Sequence, residues 1–133
     1  MDKAIYVNNM LTEEMIAASS YLAKKLEQSG LQINAVFWRY LDDSNIWRLY
    51  ISSPMVSNSG CKKTYMKILD VIASFPESEP IISLENITVT DDKDPLTNTF
   101  RKALKPYING PKRLTKEVVD GHYVDDAYIL LLR

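Results

Sequence analysis

The segment from Ile33 to Ser53 constrains the fold of this chain more than any other. It is rich in aromatic and β-branched residues and is interrupted once, by Asp42-Asp43-Ser44-Asn45, the pattern of two strands joined by a tight turn. A two-residue turn at Asp43-Ser44 and a four-residue loop from Asp42 to Asn45 give the same pairing. In that register Val36, Trp38 and Tyr40 lie against Ile51, Leu49 and Trp47, an apolar surface that must face a core. The opposite face pairs Phe37 with Tyr50, Arg39 with Arg48 and Leu41 with Ile46. Two arginines directly across from each other repel, so something negative is expected beside them. Either a carboxylate from a packed helix neutralises them within the molecule, or Phe37, Arg39, Arg48 and Tyr50 form an amphipathic strip of the kind that anchors protein interfaces. A three-residue loop would shift the register and dissolve both faces.

Helices are expected on either side of this hairpin. From Leu11 to Leu26 the residues Leu11, Met15, Ile16, Leu22, Ala23 and Leu26 share one stripe, with Ser19 as a small neutral spacer, Thr12 as cap and Gly30 as stop. Glu13 and Glu14 at the start and Lys24 and Lys25 near the end complement the helix dipole. Pro54 stops the second strand, and Ser57-Asn58-Ser59-Gly60 leads into a helix from Cys61 to Phe75 with Cys61, Tyr65, Ile68, Leu69, Ile72 and Phe75 inward, ended by Pro76. Leu84 to Thr90 reads as a strand.

Asp94 then caps a short helix from Pro95, carrying Leu96, Phe100, Ala103 and Leu104 inward and closed by Pro106 and Asn109-Gly110-Pro111. Leu114 to Val119 and His122 to Leu132 flank Asp120-Gly121, a favoured hairpin turn, which sets Lys116 opposite Asp125. A helical reading of Leu114 to Val119 competes with it. Tyr128 to Leu132 is apolar on both faces, as expected of an inner strand or one covered by another subunit. The predicted architecture is a single α+β domain over residues 1–133, a two-layer sandwich with a largely antiparallel sheet and helices packed on one face.

With 46% hydrophobic and 25% charged residues the composition is that of a globular protein, and the longest apolar run, Ala127 to Leu132, is too short to cross a bilayer. The opening Met1-Asp2-Lys3 has no basic stretch leading into an apolar one, so an export signal is not expected and the cytoplasm is, with no membrane association. The single cysteine cannot form an internal disulfide, and one cysteine with one histidine cannot build a zinc site from those residues alone.

Charge is segregated along the chain although the formal net charge is only -1. Glu77 to Asp94 holds six acids and one lysine, and Arg101 to Lys116 holds six basic residues and no acid. Arg101, Lys102, Lys105, Lys112, Arg113 and Lys116, with Tyr107 and Asn109 between them, form a basic strip. It suits an acidic protein surface, or nucleic acid, where cations meet phosphates and a ring stacks on a base. The bland reading is a solvated strip balanced by the neighbouring acids.

Other chemistry is thinner. The Ser57 to Lys63 turn departs from a phosphate loop, because Gly60 is followed by Cys61-Lys62-Lys63-Thr64 and position 55 is Met. Cys61, on the expected inner stripe, reads as a small core residue rather than a reactive thiol. His122 near Asp125 and Asp126 lacks a converging nucleophile. Asp91, Asp92 and Asp94 lack the glycine and closing glutamate of a calcium-binding EF-hand loop and read as turn chemistry.

Two functions are carried forward. One is a binding or accessory subunit, self-associating or joined to another protein, that docks through the hairpin strip Phe37, Arg39, Arg48 and Tyr50 and the basic strip including Tyr107, with no cofactor. The other is a nucleic-acid-binding protein or a metal-dependent enzyme cleaving phosphodiesters, with Asp125, Asp126 and Asp94 as ligands and Lys112 or Lys116 stabilising charge.

Overall fold

A computed structural model describes residues 4–7 and 9–133. The opening Met1-Asp2-Lys3, read above for an export signal, lies outside the described residues. In chain order the elements are α1 (Glu13–Gln28), β1 (Ala35–Leu41), β2 (Ile46–Ser52), α2 (Pro54–Ser59), α3 (Cys61–Ala73), β3 (Ile87–Thr90), α4 (Pro95–Leu104), β4 (Lys112–Val119) and β5 (His122–Leu132). Short 3-10 turns occupy Leu84–Asn86 and Lys105–Tyr107. The strands form one five-stranded sheet in the order β3-β2-β1-β5-β4. The α+β class holds, with a largely antiparallel sheet. β3 runs parallel to β2, as it can because α2 and α3 supply the long crossover that a parallel pair requires.

The β1–β2 register is the expected one, Val36 facing Ile51, Trp38 facing Leu49 and Arg39 facing Arg48. Leu41 still pairs with Ile46, so the connection is the four-residue loop. The closing hairpin also forms: Asp120 (φ 47) and Gly121 (φ 82) both take the left-handed conformation that a tight two-residue turn matched to strand twist demands. The helical alternative for Leu114 to Val119 is thereby replaced by β4. Opposite β1, β5 carries an irregularity, where Val36 faces Leu131 but Phe37 faces Ile129.

The first core lies between the sheet and helices α1 and α3. Trp38, Leu49, Leu22, Leu26, Ile33 and Ile68 are fully buried there. Thr12 caps α1 by accepting from the Met15 amide at 3.1 Å, and Tyr21 of α1 meets Phe75 edge to face with centroids 4.8 Å apart. α3 is rotated from its expected face. Thr64, Ile68, Val71 and Ile72 point inward, while Cys61 and Leu69 are exposed. Thr64 can occupy a buried position because its hydroxyl donates to the Gly60 carbonyl at 2.9 Å, leaving its methyl to pack.

Helices on one face hold for α1 and α3 but not for α4. It lies on the opposite face of the sheet, where Phe100 forms a second core with Ala35, Phe37, Leu114, Val124, Ala127 and Ile129. The physical reason is the position of β5 next to β1. It adds Ala127 and Ile129 to the Phe37 face, making an apolar surface that needs its own cover. Phe100 packs edge-on to Phe37 at 5.2 Å, and Tyr50 stacks on the same ring at 5.1 Å. No helix among the described residues is long and apolar enough to cross a membrane.

Candidate functional site

An open cavity of about 420 Å³ is lined by Asn9, Met10 and Leu11 ahead of α1, Tyr40 of β1, Trp47 of β2, and Arg113, Thr115, Lys116, Asp125 and Asp126 of the β4–β5 hairpin. The hairpin contributes two pairs of sequence neighbours, Thr115 with Lys116 and Asp125 with Asp126. In a regular strand neighbouring side chains leave opposite faces, so both pairs could not line one cavity. The alternation breaks at Lys116, whose φ is 48 within β4. It falls with Asp125 between the paired positions Thr115–Asp126 and Glu117–Val124. The same break explains why Leu114 and Val119, five residues apart, both reach the second core, as do Val124 and Ala127, three apart.

Arg113 organises one side of this cleft. Its guanidinium donates to both oxygens of Asp126, Nε at 2.7 Å and Nη2 at 2.6 Å, a bidentate arrangement that fixes orientation as well as distance. It also reaches across the sheet to lie 5.5 Å from the centroid of the buried Trp47 ring, a cation–π contact. The hydrogen bond to Asp126 holds Arg113 above its ordinary pKa, against a smaller opposing loss of hydration, with the Asp126 charge adding to the rise. The pair is self-neutral. Lys116, by contrast, is exposed and forms no ion pair among the described residues. Asp125 is half-buried and, among the described residues, its side chain accepts only a long 3.5 Å contact from the Tyr123 hydroxyl. The cleft therefore presents a cation and an anion on opposed hairpin positions, neither in an ion pair among the described residues, beside a fixed pair.

The hairpin strip does not assemble as expected. Phe37 is fully buried beneath Phe100, so no partner can reach it, a correction that follows from the placement of α4. Tyr50 is half-buried and stacked on Phe37. Arg48 is engaged within the molecule, donating to Thr88 Oγ1 at 2.9 Å and to the carbonyls of Glu85 at 3.0 Å and Ile87 at 3.2 Å. Neutral acceptors, rather than the expected carboxylate, relieve the arginine pair. Arg39 remains half-buried, and its side chain makes no hydrogen bond or ion pair among the described residues.

The basic strip divides. Arg101 is structural: it bonds Asn98 and the Arg133 carbonyl, and its Nη2 is buried without a partner. Arg113 and Lys116 line the cleft. Lys102, Lys105, Tyr107 and Lys112 stay exposed near the end of α4 and the loop that follows it. None of these three lysines forms an ion pair, and the only ion pairs among the described residues are Arg113–Asp126 and Arg133–Glu27. Two of the six acids expected to balance the strip have local partners instead: Asp91 accepts from the Lys93 amide at 2.9 Å, and Asp94 caps α4 through the Thr97 amide at 3.0 Å.

Asp125 and Asp126 line the cleft but Asp94 does not, so the three carboxylates of the hydrolytic reading do not converge. Among the described residues no three His, Cys, Asp or Glu side chains gather in a metal-binding group. Sequence reading had not singled out Tyr40, Trp47 and Thr115 as lining residues. A usable signal was present in the odd spacings Leu114–Val119 and Val124–Ala127, since a break in alternation at the same height of two neighbouring strands marks where a hairpin re-aims its side chains. Comparison with protein-family models, with curated proteins and with solved structures finds no match for this chain.

Proposed function

We propose that this protein is a small binding or accessory module that docks a segment of a partner protein in the cleft formed by Leu11, Tyr40, Trp47, Arg113, Lys116 and Asp125. The observation that carries this reading is the left-handed backbone at Lys116, a conformation that a non-glycine residue adopts at a cost and that turns Lys116 into the cavity. The docking residues differ from those suggested by the hairpin alone. Arg113 and Lys116 stay in the reading, Phe37 leaves it, and the aromatic contribution comes from Tyr40 and Trp47. Lys116 and Asp125, which form no ion pair among the described residues, favour a segment carrying both an acidic and a basic group, with orientation set by the two charges.

The reading includes work inside the cell and assembly with itself or with another protein. A tagged protein at native expression level tests it, comparing wild type with Lys116→Glu, Asp125→Lys and a surface control, Lys63→Glu. A partner held by wild type and by the control but released by both cleft variants supports docking there. Light scattering over a concentration series covers self-association, which the same cleft variants should weaken. A protein that stays monomeric, and whose bound partners are identical in all variants, removes the reading.

A further inference from the structure

α4 separates the charges that adjoin one another in the sequence. Asp91, Asp92 and Asp94 stand at its start and Lys102 in its last turn, with Lys105 just beyond. Its ten residues span about 15 Å at 1.5 Å per residue. That exceeds the screening length of roughly 8 Å at physiological ionic strength, so the acidic turn does little to offset the cations at the far end. Lys102 and Lys105 are three residues apart, one turn along the same face.

Directly after them Tyr107 is 83% exposed, the most exposed large hydrophobic side chain among the described residues. A cavity of about 360 Å³ opens beside it, lined by Tyr107, Ile108, Asn109, Gly110, Pro111 and Lys112. Lys112 lines that recess with Tyr107, Lys105 lines a neighbouring recess that shares Ile108 and Gly110 with it, and Lys102 is exposed one helical turn before Lys105. An acidic protein surface is met by the cations alone and gives the ring and its recess no necessary role. A nucleobase fills both, since every base has a face that stacks on an aromatic ring while its phosphates meet lysines.

We propose that the loop joining α4 to β4 binds single-stranded nucleic acid, with one base stacked on Tyr107 and the adjoining phosphates held by Lys102, Lys105 and Lys112. The site shares no residue with the cleft and goes beyond the protein-docking reading. Arg101 and Arg113 take no part, because Asn98 with the Arg133 carbonyl, and Asp126, already hold them.

Fluorescence anisotropy with labelled oligo-dT and oligo-U of about a dozen nucleotides tests the proposal, with inorganic polyphosphate as competitor. Three phosphate contacts give a slope of log affinity against log salt of about -2, reduced by about 0.7 for each lysine replaced by Ala. Tyr107→Ala, at a position too exposed to threaten folding, should weaken binding on the order of tenfold, and Tyr107→Trp should retain it. Lys62→Ala with Lys63→Ala, on α3, should leave it unchanged. Absence of binding at low salt overturns the proposal. So does an affinity insensitive to Tyr107→Ala and equally displaced by polyphosphate, which would mark a plain polyanion surface, and so does an equal loss in the α3 control.

Discussion

The indole Nε1–H of Trp38 donates to Ser19 Oγ at 2.9 Å, joining β1 to α1 across the fully buried interior. The Ser19 hydroxyl in turn donates to the Met15 and Ile16 carbonyls of its own helix, each at 2.9 Å. A polar side chain on the apolar stripe of α1 is thereby explained, because a buried tryptophan needs an acceptor and Ser19 supplies one. Ser19→Ala should cost about 1–3 kcal/mol, since it strands the indole donor away from water, even though alanine is the better helix former. Urea unfolding measures the loss. An unchanged midpoint would mean that Trp38 finds another acceptor.

The hairpin register was readable from residues alone because both allowed turns give one pairing and only that pairing collects Val36, Trp38, Trp47, Leu49 and Ile51 on a single face. The helix α1 was readable for a similar reason, its stripe being uninterrupted apart from Ser19. The partnership of Ser19 with Trp38 was not, because it joins positions 19 residues apart. The second core was hidden too. The Phe37 face reads as an amphipathic strip from β1 and β2 alone because it carries Arg39 and Arg48, and the neighbouring β5 adds the Ala127 and Ile129 that extend it into a core. Part of the cleft could be foreseen in Arg113, Lys116, Asp125 and Asp126, but its backbone break is signalled only by the odd apolar spacings around it, because Lys116 itself has no preference for positive φ.

Phe100 is the principal cover of the second core, fully buried against Phe37. Phe100→Ala removes most of that cover from a site held by one short helix and should cost about 3–5 kcal/mol, measured by denaturant unfolding. The same truncation should increase protection loss in hydrogen exchange at α4 more than at α1. A cost below about 1 kcal/mol would show that α4 is only loosely seated on the sheet.

Tyr123 provides a pH-dependent reporter of the hairpin. Partial desolvation, then the charge and hydrogen bond of Asp125 and the charge of Asp42, raise its phenol above the ordinary value of 10.0. Between those values the folded chain keeps a proton that the unfolded chain has released, so this contribution is complete below the ordinary pKa and is lost as pH rises through the folded one. An NMR titration of the Tyr123 ring should place its midpoint above those of freely solvated tyrosines. Asp125→Asn should lower it without returning it fully, because desolvation remains; no movement would remove Asp125 as a cause.

Lys116 offers the sharpest test of the cleft backbone. Glycine in the middle of an ordinary strand destabilises it by roughly 0.5–1 kcal/mol, because more chain entropy is lost and a packing side chain is gone. At φ 48 the balance reverses. A left-handed non-glycine residue carries a steric cost of roughly 1–2 kcal/mol that glycine does not, and the exposed Lys116 side chain gives up little packing when removed. Lys116→Gly should therefore leave stability unchanged or raise it by up to about 1 kcal/mol, while Lys116→Val, branched at Cβ, should lower it by about 1–2 kcal/mol. Thr115→Gly, one position away in regular strand geometry, should behave in the ordinary way and destabilise. If glycine proved as harmful at 116 as at 115, and valine harmless, the left-handed turn would be absent in solution, and Thr115 and Lys116 could not both line the cleft.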